Sequence, residues 1–175
     1  MTDAGGEGDP RGMLIDLDLA KELDSGPSGA RHRTGNMEFM AIEVLEGRAH
    51  TYRHDLESFF YVFLWVIIRY GQETDKNLPI TSRLRRWYAG SYEDIADIQR
   101  SHMDKSRFKG ILNEFPLEFD GLEVLAKELR DIIFPYREGL FTGTYRDPDK
   151  LYRPIIDAFD RAIAKYMEGE SDEEM

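Results

Sequence analysis

Cysteine is absent from this chain of 175 residues, which excludes disulfides, thiolate zinc sites and cysteine nucleophiles and accords with a reducing compartment. Basic residues are few beside acidic ones: 23 Lys and Arg against 34 Asp and Glu leave a formal net charge of −11. With no cationic excess to neutralise phosphates, general nucleic-acid binding is not expected. Long apolar runs are missing too. The longest, 56–68, contains Glu57 and lies between Asp55 and Arg69, too short and interrupted to span a bilayer. Residues 1–12 are rich in Gly and Asp and lack the apolar core of a signal peptide. The expectation is a soluble intracellular protein with no membrane partner. No basic cluster of five or more residues separates nucleus from cytoplasm.

What is present suits a core. Hydrophobic residues at 41% and aromatics at 12% are globular composition, and the length suits one domain. Residues 1–12 and the acidic tail 168–175 are expected to be disordered around a domain over 13–167. Met13 to Asp16 reads as a short buried strand, and the Gly-, Pro- and Ser-rich stretch 24–33 as a mobile loop. A helical turn is expected within 38–45. The run 56–70 is apolar nearly all round, as in a helix from the middle of a protein, with Asp55 suited to cap its start. Helical patterns follow over 80–88, 92–114, 122–134 (stopped by Pro135) and 149–167. The fold class is mainly α, without internal repeats.

Asp16 ends the strand at a loop. Such a carboxylate either caps the turn or offers a hard oxygen ligand to Mg²⁺ beside phosphate oxygens. Asp18 is a second oxygen of the same kind or a local hydrogen-bonding group. Four landmarks then follow in order: Asp16-Leu17-Asp18, Gly35-Asn36, Ala41-Ile42-Glu43, and Asp55 opening the apolar helix. Protein kinases carry Asp-Phe-Gly, Gly-Thr, Ala-Pro-Glu and a helix-opening Asp in that order. The strings LIDLDLA (14–20), RTG (33–35), FMAIEVL (39–45) and HDLESFFYV (54–62) resemble the fungal-type protein kinases, and Trp87 fits that family's later helices. The resemblance covers about residues 12–135.

That resemblance implies the helical C-terminal lobe of a protein-kinase-like fold, with a short strand near its N-terminus and an activation segment over about 16–43. The family activity is ATP-dependent phosphorylation of protein Ser/Thr hydroxyls. By resemblance, Asp16 would hold Mg²⁺ against nucleotide phosphates. Glu43 would form a buried ion pair with an arginine further on, with Arg130 and Arg137 both candidates. Asp55 would cap the central helix and tie it to the catalytic loop. The chain departs from the pattern at Asn36, where active kinases carry threonine, and at Asp18, where they carry glycine.

Phosphoryl transfer also needs a Gly-rich loop, a strand lysine with its glutamate, and a catalytic-loop Asp and Asn. In kinases all of these precede the metal-binding Asp. Fifteen residues precede Asp16 here, and none forms His-Arg-Asp; Gly5-Gly6-Glu7-Gly8 has neither the strand before it nor the helix after it that a phosphate loop requires. No residue of this chain is therefore assigned a catalytic role, and the chain alone is expected to be catalytically incompetent. ATP and Mg²⁺ are the family's cofactors rather than expected ligands of this chain by itself. A second reading is a non-catalytic, pseudokinase-type interaction module. Either way, the apolar helix would lack its usual cover, so the expected partners are a polypeptide carrying the missing half, another protein, or a second copy. Four histidines (His32, His50, His54, His102) lack metal-ligand spacing and are expected at the surface or in caps. Ser25, Ser28 and Thr34 stand near Arg31 and Arg33 in a loop that is either phosphorylated or simply flexible.

Overall fold

A computed structural model describes residues 36–70, 78 and 80–173, with side chains described as far as Met167. A 3-10 turn, Met37–Phe39, leads into a one-turn helix α1, Ile42–Leu45. The central helix α2 is Tyr52–Tyr70, followed by a 3-10 stretch, Arg83–Tyr88. Helices α3 (Tyr92–Met103) and α4 (Lys105–Leu112) come next, then the 3-10 turn Leu117–Phe119, α5 (Leu122–Ile133) and α6 (Asp149–Glu173). The mainly α class is borne out. Among the described residues the one β feature is an isolated antiparallel bridge, Tyr136 to Leu140. The expected strand at Met13 to Asp16 lies outside the described residues, as do Asp18, Gly35, the loop 24–33 and His32.

Local chemistry explains the breaks. The expected long helix 92–114 is two helices, because Asp104 takes an extended conformation (φ −62°, ψ 135°). Its carboxylate accepts the Ser106 N–H at 2.9 Å, capping α4. At the start of α3 a capping box satisfies both ends: the Ser91 hydroxyl accepts the Asp94 N–H, and Asp94 accepts the Ser91 N–H, each at 3.1 Å. The expected helix 80–88 is reduced to the 3-10 stretch from Arg83, with Ile80 exposed. Helix α6 runs on to Glu173, past the Met167 at which the periodic pattern stops.

The core gathers where α2, α5 and the Arg83–Tyr88 stretch meet. Phe60, Tyr61, Leu64, Trp87 and Phe134 are all fully buried there. Tyr61 packs against Trp87 at 4.9 Å between ring centroids, and Phe60 and Tyr61 both approach Phe134. α1 packs on α3, and α5 on both α2 and α6. One expectation about α2 is corrected. It is not buried all round: Phe59 (51% exposed), Val62 (37%) and Val66 (54%) form an open apolar strip, while Arg53 and Glu57 are fully buried. On α6, Ile156, Ile163 and Tyr166 are exposed although they belong to its apolar pattern, and Leu151, Ile155 and Ala158 make its buried face.

Candidate functional site

The structure brings Ile42 and Glu43 against the first turns of α2. Asn36 precedes the Met37–Phe39 turn and accepts the Phe39 N–H through its backbone carbonyl at 3.1 Å. Ala41 is extended and buried, so the chain enters α1 with its first N–H groups unpaired by the helix itself. One is satisfied at long range: the Ile42 N–H donates to Glu57 Oε1 of α2 at 2.7 Å. Glu57 Oε1 also accepts the Tyr61 hydroxyl at 2.7 Å, and Glu57 Oε2 accepts from the Arg53 guanidinium. Arg53 in turn donates to the Ile133 carbonyl at the end of α5 at 2.9 Å and lies 5.2 Å from the Phe134 ring centroid. A buried ion pair thus joins α1, α2 and α5. Burial and the Glu57 carboxylate push the Tyr61 hydroxyl well above its ordinary pKa, so it stays a donor.

Glu43 heads a second, partly solvated network. Its carboxylate accepts from His54 Nε2 at 3.2 Å and from the Thr142 hydroxyl at 3.2 Å, and it meets Arg48 at 3.3 Å. His54 Nδ1 accepts the Thr51 N–H at 3.1 Å, so the ring hydrogen sits on Nε2 and points at Glu43. Burial holds the His54 pKa below its ordinary value against the opposing pull of Glu43. The contact is a hydrogen bond from a neutral imidazole. Further links fasten the loop after α5 to the start of α2: Thr51 with Thr144 at 2.7 Å, and the Tyr52 hydroxyl to the Tyr145 carbonyl at 2.7 Å.

Two expectations for this site are corrected. Neither candidate arginine reaches Glu43. Arg130 is buried and donates to the Met103 carbonyl at 2.7 Å, tying α5 to the α3–α4 elbow. Arg137 lies over the rings of Phe141 (4.5 Å) and Tyr145 (5.1 Å). The buried carboxylate–arginine pair is instead Glu57 with Arg53, one turn apart on α2, a spacing legible in the sequence. Asp55 does not cap α2. The helix starts at Tyr52, and the Asp55 side chain is 69% exposed beside His50 at 3.4 Å. The histidines also differ from expectation: His54 and His102 are buried, and His102 Nδ1 accepts the Trp87 indole N–H at 2.9 Å.

Asp16 and Asp18 lie outside the described residues, so the Mg²⁺ ligand remains an expectation of the resemblance. Among the described residues no group of three or more His, Asp or Glu is placed to hold a metal ion, and no helix is long and apolar enough to cross a membrane.

A helical lobe with a short segment clamped onto its central helix is the class of structure present. Residues 1–67 match the family model described as fungal protein kinase. The stretch contains all four landmarks from Asp16 to Asp55, and the match ends inside α2, short of the residue 135 to which the resemblance extends. Over those residues the chain is kinase-like. No curated protein and no solved structure matches the chain.

Proposed function

We propose that this chain forms the helical lobe of a fungal-type Ser/Thr protein kinase domain, with residues 16–43 as its activation segment. The observation that carries the reading is the seating of Ala41-Ile42-Glu43 on α2 within the stretch that matches the family. A segment entering α1 is pinned there by Glu57 on one side and by His54, Arg48 and Thr142 on the other. That arrangement suits a structural anchor; none of these residues is placed for proton transfer to a substrate. Asp16 would meet Mg²⁺ and the phosphates of ATP, and the metal would neutralise charge on the transferring phosphoryl group. The 175 residues contain no His-Arg-Asp string, so phosphoryl transfer by this lobe would need a phosphate loop and a catalytic loop supplied from outside these residues.

The open strip of Phe59, Val62 and Val66 on α2 supports completion by a protein partner or self-association, and equally supports the second reading, a pseudokinase-type interaction module. Capture of the endogenous protein with an antibody against the 87–112 region, followed by intact-mass measurement, separates the two. Peptides carrying a Gly-rich loop and a catalytic Asp, in the same chain or a stoichiometric partner, support the kinase. A 20.3 kDa species without them supports the interaction module.

A further inference from the structure

On a chain of net charge −11, four cations converge on one depression of about 580 Å³. It opens between the Arg83–Tyr88 stretch and the α3–α4 elbow, where Arg83, Arg86, Arg107 and Lys109 face a single carboxylate, Asp97. Arg83 lies 4.0 Å from Glu114, at the limit of an ion pair. Among the described residues no carboxylate comes within salt-bridge distance of Arg86, Arg107 or Lys109. By contrast, Arg100 on α3 is paired with Glu46, and Arg130 on α5 with Asp131. We propose that this depression binds a phosphomonoester dianion.

Three features of the depression suit that ligand. Guanidinium groups are planar forks that bind phosphate oxygens in pairs, and three of the four cations are arginines. His102 lines the floor, buried, with its Nδ1 occupied by Trp87, so its hydrogen lies on Nε2 and the ring is a neutral donor. Burial, with the nearby charges of Arg83, Arg86 and Arg107 adding to it, brings its pKa down to about 4, so the ring is neutral at pH 7. Gly110 completes the geometry. A Cβ at this position would lie 2.7 Å from Arg83 Nε and 2.8 Å from Cζ, so the absence of a side chain lets the Arg83 guanidinium lie along α4. The four cations over one carboxylate match a compact dianion. A nucleic-acid strand needs a longer cationic track and would meet an acidic remainder.

The test is a titration of the full 175-residue chain with inorganic phosphate and with O-phospho-L-serine at constant ionic strength, followed by the Trp87 indole N–H resonance. Saturable binding is expected, with acetate and serine inactive. Arg86→Gln with Arg107→Gln should weaken it at least tenfold, both side chains being exposed and peripheral to the fold. Gly110→Ala should weaken it several-fold while leaving the melting temperature the same or higher, since alanine favours helix over glycine. Tighter binding of phosphoserine than of phosphate points to a phosphorylated side chain as the source, and the reverse to a free small phosphate; both support the site. Absence of saturation by either probe overturns it. So does binding unaffected by the Arg86/Arg107 double variant, or matched by acetate at equal ionic strength.

Discussion

The backbone N–H of Ile42 and the carboxylate of Glu57 meet at 2.7 Å inside the protein, fifteen residues apart in sequence. That bond fastens the end of the segment resembling a kinase activation segment to the central helix. Glu57 is fully buried yet holds three donors, which is how a carboxylate survives in the core.

Glu57→Ala is therefore expected to cost about 3–5 kcal/mol, because it leaves Arg53 as a buried, uncompensated charge. Urea denaturation measures it. The double replacement Arg53→Met with Glu57→Leu should cost less than Glu57→Ala alone, since it removes both charges together. In the single variant the Ile42 amide should also exchange with solvent faster than in the wild type, whereas amides at the centre of α5 should change only with global stability.

Stability should fall on acidification before the carboxylates titrate. His54 and His102 both have folded pKa values below 6.5, held there chiefly by burial. Above pH 6.5 both states are neutral. As pH drops toward about 4 the unfolded chain takes up protons that folded His102 refuses, so unfolding gains and stability declines across that window. Asp94 and Asp104 act lower: hydrogen bonds from Ser91 and Ser106 depress their pKa values, so their contribution is lost below about 3.8. Thermal melts of wild type and His102→Gln at pH 7.5 and 5.5 should show a smaller loss in the variant.

The two faces of α2 should respond oppositely to substitution. Phe60→Ala opens a cavity in a fully buried site and is expected to cost about 3–5 kcal/mol. Val66→Lys on the open strip should cost under about 1 kcal/mol and reduce self-association, read by sedimentation velocity. Destabilisation by Val66→Lys as large as that by Phe60→Ala would mean that this strip is covered.

Ser91→Ala removes the hydroxyl that caps α3 and half of the capping box, for an expected loss of about 1 kcal/mol of stability, measured by urea denaturation.

How much of this was legible in the sequence differs from element to element. The apolar spacing of Leu125, Leu129 and Ile133 marks α5 almost residue for residue. The break at Asp104 was hidden, because Met103 and Phe108 keep the helical period across it, and only the Asp-Lys-Ser cap signal hints at a new start. At the site, the landmark order located Ala41-Ile42-Glu43, but partners depend on tertiary approach: Thr142 lies ninety-nine residues from Glu43. Arg53 and Glu57 stand as an i,i+4 pair in the sequence, but that spacing is the same for a solvated pair and a buried one. Their burial follows from the Ile42 N–H, the Ile133 carbonyl and Tyr61, three groups that no local pattern brings together. The basic depression had no linear signature either, since Arg83, Arg86, Arg107 and Lys109 come from two separate segments.

The most direct test of the kinase-lobe reading is phosphate transfer from Mg²⁺·ATP to a generic protein substrate by the purified 175-residue chain, with Asp16→Ala as control. No transfer above the control is expected from the chain alone; it should appear only when a polypeptide bearing a Gly-rich loop and catalytic Asp is supplied. Transfer by the chain alone that disappears in Asp16→Ala would contradict that reading.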